Sequence, residues 1–545
     1  MSSTVNPEPN MIQPEPDMDT VYAALNIVNH QKHSPQIAEA SNWLSAMQES
    51  IYAWTIADNL LQEKRDHESC FFGAKLLRTK IQTAFDELPI DCHLSLRETI
   101  FNLFKVVKGT LVSDIFTSEM GLALADLMFL MTSWSEPVSE LISRLKTPDN
   151  KCSPSLLQVL TVLPKELNSS DLKLADYRRV KMRKELRAST DDVFHLLNVS
   201  LDSLDNEKIM ICFGSWTKLV RVTGQQLSNC NALYVIFHEL ESDISYGPLH
   251  ETATDTLCSI IQIVADRESS KPTIKMGKLE DKLIAKVRQL HASYRQSAAD
   301  GDLNKCINYS RIFTEMSKAV LPRIMAKNAI QRFEFMRFID MVLECTGHGS
   351  YGVARVTFGF WYTFCEQFLL HSKIRGTFFV YFDKLIGVLH QHCHMKCGVS
   401  TGDQDFNQFR SDVEKLIVSI APMVNSVSAV RYFSYKVNTS SDDQWQTTEA
   451  SLFIMQSMAE NFAAFEDQTA VTEVAQSIVE ALLPRLKIAH PAISKTSLIL
   501  LGKLRRWMGQ TAEDRKSPLF KKYQDLLSAT ATQCFEMIGR NGWMH

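Results

Sequence analysis

Three glycines, Gly347, Gly349 and Gly352, stand at the G-x-G-x-x-G spacing of a turn that cradles a dinucleotide pyrophosphate. That chemistry needs a strand entering the turn and a helix leaving it, so that backbone amides meet the phosphates. The residues before it, AIQRFEFMRFIDMVLECT, put Phe335, Phe338, Val342 and Cys345 on one helical face. A helix therefore feeds the turn, and an interhelical loop is expected. A second set, His390, His392, Cys393, His394 and Cys397, offers imidazoles and thiols at close spacing, as zinc requires. Structural zinc draws on two separated pairs, whereas these crowd the end of one helix, where histidine also suits the negative dipole. A helix terminus with a buried cysteine is expected there, and no metal site.

The run DYRRVKMRKELR carries Arg178, Arg179, Lys181, Arg183, Lys184 and Arg187. Such a cluster can grip phosphates or an acidic partner, but Val180, Glu185 and Leu186 interrupt it, and a solvated helix face is the expected reading. Nothing marks a covalent catalyst: the chain has no G-x-S-x-G, no H-E-x-x-H and no Walker loop. Neither an enzyme nor a bound cofactor is expected.

The most informative segment is ESCFFGAKLLRTKIQTAFDELP, residues 68–89. With Cys70, Ala74, Leu77, Ile81 and Phe85 turned inward, a second stripe forms from Lys75, Arg78, Thr79, Gln82 and Asp86. Spacings of three and four residues set it along one helix face, where it could hydrogen-bond a partner or simply be solvated.

These residues must be carried by helices. The chain has 545 residues, 45% of them apolar and 22% charged, with only 20 Gly and 17 Pro, too little turn chemistry for a many-stranded protein. Lys and Arg (58) nearly balance Asp and Glu (62), which argues against a dedicated nucleic-acid binder. No apolar run reaches the ~18 residues of a membrane span, and the start MSSTVNPEPNMIQPEPD lacks the basic and apolar regions of a signal peptide. Twelve scattered Cys read as reduced, mostly buried thiols of an intracellular protein.

Residues 1–18, rich in Pro, Glu and Asn, are expected to be a disordered tail. Amphipathic patterns then follow one another, broken at prolines including Pro35, Pro89, Pro137, Pro154, Pro164, Pro322 and Pro491, and at the loops 438–444 and 511–518. Cys70, Ala74, Leu77, Ile81, Phe85 and Leu88 recur 46 residues later as Phe116, Met120, Ala123, Leu127, Met131 and Trp134. Ala40, Leu44, Met47 and Ile51 match Leu77, Ile81, Ala84 and Leu88 at a shift of 37. A helix-turn-helix unit of roughly 40 residues is the period of HEAT repeats, so the fold expected is an all-α HEAT-repeat α-α superhelix of about 11 or 12 pairs.

The same stretches carry a family likeness. SNWLSAMQESIYAWTIADNLLQ (41–62), residues 68–89 and LALADLMFLMTSW (122–134) resemble the opening repeats of the transportin-three and importin-thirteen branch of the importin-β superfamily. The likeness recurs in order at LLQVLTVLP (156–164), FGSW (213–216), NYSRIFTEM (308–316), VTFGFWY (356–362), DFNQFRSDV (405–413) and EASLFIM (449–455). It tracks the family over roughly residues 20–510, and the ordered set is its specific feature.

The resemblance implies a receptor that shuttles between cytoplasm and nucleus, binding Ran-GTP, the Phe-Gly repeat proteins of nuclear pores and a protein cargo. The cargo it implies is Arg-Ser-rich splicing factors, with no direct contact to nucleic acid or membrane. It further implies that inner helices of the first repeats meet Ran, which assigns Lys75, Arg78, Thr79, Gln82 and Asp86 as contacts. Residues 19–135 would then be Ran-binding repeats, 136–510 further repeats, and 511–545 a loop and terminal helix where the array is cut short. Two departures stand out. The family's roughly twenty repeats exceed the dozen that fit here, and no segment matches the arginine-bearing helix that reads Arg-Ser cargo. The alternatives are a static HEAT scaffold that never meets Ran, and a truncated receptor without cargo binding.

Overall fold

The amphipathic segments are helical throughout a computed structural model that describes residues 15–30, 35–106, 114–220, 222–243, 247–268, 277–325, 329–370, 376–395, 403–424, 426–459, 468–483, 490–505 and 514–540. No strand occurs among the described residues, and none of their helices is long and apolar enough to cross a membrane. Residues 1–14 of the expected tail lie outside them, and Met18 already opens the first helix.

The chain divides into two units, Met1–Leu283 and Ile284–His545. The first holds α1 (Met18–His30), α2 (Ile37–Glu49), α3 (Ala53–Glu63), α4 (His67–Ala84), α5 (Ile90–Val106), α6 (Asp114–Leu130) and α7 (Pro137–Leu145). It continues with α8 (Pro154–Glu166), α9 (Asp176–Ala188), α10 (Thr190–Val199), α11 (Asn206–Leu219), α12 (Gly224–Ser228), α13 (Ala232–Glu241) and α14 (Gly247–Glu268). Helices pair as α3 with α4, α5 with α6, α7 with α8, α10 with α11 and α13 with α14. The second helix of each pair packs on that of the next, giving a continuous row α4–α6–α8–α11–α14. Contacts confined to neighbours in this way define a HEAT-type array.

The remaining helices are α15 (Gly277–Asp300), α16 (Leu303–Met325), α17 (Ala329–Thr346), α18 (Tyr351–Val356), α19 (Phe358–Leu370) and α20 (Phe379–His392). They are followed by α21 (Gln404–Ile420), α22 (Ser426–Thr439), α23 (Trp445–Met458), α24 (Gln468–Leu482), α25 (Pro491–Leu504) and α26 (Pro518–Arg540). The second unit repeats the logic, with the row α16–α19–α21–α23–α25 and partners that include α17, α20, α22 and α26.

Local chemistry sets the boundaries. The Asp66 carboxylate accepts from the Ser69 amide at 2.7 Å and starts α4, and Ser153 caps α8, whose first residue is Pro154. Thr223 and Gln226 close a capping box on α12. Two expected breaks are not breaks. Pro164 and Pro322 lie inside α8 and α16, near their ends, where the lost amide can be compensated from outside. For Pro164, the bare Leu160 carbonyl accepts the Trp216 indole of α11 at 2.8 Å. The repeat match also frays at its edges. Ile51 and Leu88 fall beyond α2 and α4, and Ile51 is 65% exposed. Asn438 belongs to α22, so the loop expected from 438 begins later.

Candidate protein-binding face

Helix α4 buries Ala74, Leu77 and Ile81 as expected, together with Leu76 and Lys80, whereas Cys70 and Phe85 are only half-buried. It approaches α3 tightly at Gly73, where a Cβ would stand 2.9 Å from Leu60 Cβ. The ammonium of Lys80 is held under the helix by Glu87 at 2.6 Å, and Glu87 also accepts from the Trp54 indole at 3.3 Å. Glu87 is thus drawn back against α3 and α4, and Leu88 is extended ahead of Pro89. The helix ends at Ala84, and Phe85–Glu87 form a 3-10 turn.

That ending divides the five stripe residues. Lys75 is exposed, and the half-buried Thr79 donates its hydroxyl to the Lys75 carbonyl at 2.9 Å. Asp86 is exposed but sits in the 3-10 turn, off the helix face it was expected to extend. Arg78 and Gln82 turn toward the next pairs. The Arg78 guanidinium reaches Asp126 at 3.3 Å, Glu119 at 3.5 Å and Glu166 at 3.3 Å, and Gln82 donates to Asp126 at 2.9 Å. One cation thus ties α4, α6 and α8 together through three carboxylates.

Asp126 is the centre of this knot. It is fully buried, and its Oδ1 has no hydrogen-bond partner among the described residues. Burial pushes its carboxyl up, Glu166 adds repulsion, and Arg78 and Gln82 pull the other way; the outcome is a value raised to about 7. The Arg78 side chain keeps 21% exposure, so an incoming partner can still touch it. Sequence reasoning missed Glu119, Asp126 and Glu166. The signal was Asp126, a lone carboxylate inside the apolar run LALADLMFLM.

The second unit contains a similar device that sequence reasoning also missed. Arg410 of α21 binds Glu449 of α23 through two bonds of 3.0 and 2.9 Å, and Thr496 of α25 donates to the same carboxylate at 2.6 Å. Arg410 lies over the Phe453 ring at 4.0 Å, and both ions are buried.

The other candidates disperse. Arg178 is no solvated residue: it is buried and donates to the carbonyls of Phe129, Met128 and Met131 at 2.9, 3.2 and 3.1 Å, closing the end of α6. Arg179 does the same beyond α8, on the carbonyls of Leu167, Ser169 and Leu172. Lys181, Lys184 and Arg187 remain exposed on α9. In the histidine cluster, His390 is buried against Ser451 at 3.0 Å, and burial lowers its pKa to about 3. His392 bonds the Thr346 carbonyl at 2.7 Å, and Cys393 is a buried residue at the end of α20. Cys397 lies outside the described residues, and the described ones form no group of three metal-capable side chains. Gly347 and Gly349 lie in the turn between α17 and α18, and Gly352 in α18 itself, so a helix and not a strand enters the motif.

Comparison with known proteins agrees with this architecture. Residues 301–392 match the family model "Transportin-3/Importin-13 second TPR domain", and residues 114–257 match "Exportin 1-like protein". Importin-13 of Mus musculus is 25% identical over 505 residues, covering 86% of this chain and 49% of the relative. Transportin MOS14 of Arabidopsis thaliana is 24% identical over 524 residues, covering 90% and 52%. The chain spans about half the length of the curated relatives it matches. Among solved structures, importin-13 in its cytosolic state superposes with a TM-score of 0.59 at 14% identity, covering 87% of this chain and 56% of that one. The karyopherin Kap121p bound to the SUMO protease Ulp1p gives 0.50 at 13%, covering 95% and 45%. In sequence the chain is similar to importin-13 and to a transportin, and in fold to the solved importin-13.

Proposed function

We propose that the chain serves as a nuclear transport receptor that binds Ran-GTP along α4 and carries protein cargo between cytoplasm and nucleus. The observation that carries the reading is the sequence relationship to importin-13 and a transportin over 86–90% of the chain. The proposed Ran contacts are Lys75, Arg78, Thr79, Gln82 and Asp86. Lys75 and Asp86 are free to reach outward, while Arg78 and Gln82 are preorganised by Asp126. Cargo release follows from differential affinity: Ran-GTP and cargo favour different arrangements or overlapping surface, so binding one expels the other. Arg-Ser-rich splicing factors are the cargo class to try first.

Pore passage needs sites for the Phe side chains of Phe-Gly repeats. The groove between α20 and α22, about 640 Å³ and lined by Phe379, Ile386, Tyr432 and Phe433, has the size and apolar character for one. Tyr432 is 53% exposed at its edge.

The test is capture of the full chain on Ran locked in its GTP form against its GDP form. Lys75→Glu, which leaves the Arg78 knot intact, is expected to weaken the GTP-dependent capture about tenfold, one misplaced charge being worth one to two kcal/mol. Equal capture by both nucleotide states would favour a static scaffold. An unchanged affinity in Lys75→Glu would remove the α4 assignment alone.

A further inference from the structure

In the second unit a groove of about 220 Å³ lies where α21, α23 and α25 meet. Phe406, Phe453 and Ile499 supply apolar lining, and Ile499 is 40% exposed. Of the charged side chains that line it, Arg410 and Glu449 bind each other, and Glu414 is held by Lys503 at 2.8 Å. Lys495 is exposed and has no ion pair among the described residues. Gln456 of α23 also lines the groove and is only 6% exposed, yet its side-chain amide has no hydrogen-bond partner among the described residues. Burying an amide without a partner is unfavourable and rare in folded proteins, so this one is available to a bond from outside.

We propose that this groove binds an extended peptide segment of a partner protein, with the Gln456 amide pairing to its main chain. The carboxamide accepts from a backbone N–H of the segment and donates to a backbone carbonyl, a pairing that peptides offer whatever their side chains. A Leu or Phe of the segment packs on Phe453 and Ile499, and an adjacent Asp or Glu meets Lys495, the cation that the paired carboxylates leave uncompensated. Glu414 and Glu449, together with the apolar wall, select against a nucleic-acid backbone. Bonds from Arg410 and Thr496 to Glu449 tie the three helices together, so the groove is formed before the segment arrives. The site shares no residue with the α4 face and serves a scaffold as well as a receptor, so it does not depend on the Ran reading.

The experiment uses the full chain and fluorescence anisotropy of a labelled peptide with a central Glu-Leu step flanked by Gly and Ser. Three probes accompany it: the same peptide with Lys for Glu, the same peptide with N-methylated bonds at the central step, and a labelled single-stranded oligonucleotide. The Glu-Leu peptide is expected to bind best, and the N-methylated one much more weakly. Gln456→Met is expected to weaken binding about tenfold at an unchanged or higher melting temperature, because it removes no bond that the folded chain makes. Lys495→Glu is expected to weaken it about tenfold, and Ile499→Asp comparably, at unchanged helical circular dichroism. Lys184→Glu, on α9, is expected to bind it as the parent does. No binding of the Glu-Leu peptide, equal binding of the N-methylated peptide, unchanged affinity or a lowered melting temperature in Gln456→Met, or tighter binding of the Lys-Leu peptide or the oligonucleotide would each overturn the proposal.

Discussion

The Trp216 indole donates to the Leu160 carbonyl at 2.8 Å, the oxygen that Pro164 deprives of its helical donor. The bond joins α8 to α11 at a point where neither sequence segment alone shows a need for it. Trp216→Phe keeps most of the buried ring but orphans that carbonyl, which costs about 1–3 kcal/mol. Pro164→Ala returns a backbone donor. The loss on Trp216→Phe should therefore be smaller in a Pro164→Ala background, a coupling that urea titrations of the four proteins would measure.

Asp126 makes stability depend on pH in the direction opposite to an ordinary salt-bridged carboxylate. Its proton is held up to about 7 in the folded chain, against the ordinary aspartate value of 3.8. The folded state binds that proton more tightly over this window, so the group's favourable contribution is complete below the lower value and gone above the upper one. Asp126→Asn should have a higher melting temperature than the parent near pH ~8, with the gap closing toward pH ~5. Parallel pH profiles of the two proteins would contradict the assignment.

Arg410→Ala strips the buried Glu449 carboxylate of its cation and should cost roughly 3–5 kcal/mol. Arg410→Met with Glu449→Leu removes both charges and is expected to recover much of that loss. Chemical denaturation of the single and double variants distinguishes an ion pair that stabilises from one that merely has to be complete.

Gly73→Ala forces a methyl to within 2.9 Å of Leu60 Cβ, so α3 and α4 must part. A loss of about 1–3 kcal/mol is expected, visible in thermal melts. Gly349→Ala, with open space around its site, is the matched control.

Thiol chemistry should be selective. Cys92 is exposed, whereas burial pushes Cys212, Cys345, Cys365 and Cys393 up to about 12. A thiol reagent is expected to modify Cys92 promptly in native protein and those four only on unfolding, which mass spectrometry would resolve.

The helices and their pairing were legible because apolar periodicity is local, and the α4 core of Ala74, Leu77 and Ile81 follows from spacing alone. The site was legible only in part. Lys75, Arg78, Thr79 and Gln82 share the expected helix, but the partners of Arg78 lie 41, 48 and 88 residues away and no local pattern foretells them. Asp86 leaves the expected helix face because the helix ends at Ala84, where Glu87 is engaged by Lys80 and Trp54. The basic run on α9 misled for a related reason. Arg178 and Arg179 face carbonyls that only the ends of α6 and α8 supply.

The Arg78 knot has a mechanical consequence. Helices held by apolar contact can slide past one another with little penalty, because the attraction has no direction. Directed bonds from one guanidinium to two successive helices forbid that slide across α4, α6 and α8. This stretch of the first unit acts as a stiff splint, and elastic compliance is left to stretches joined by grease alone.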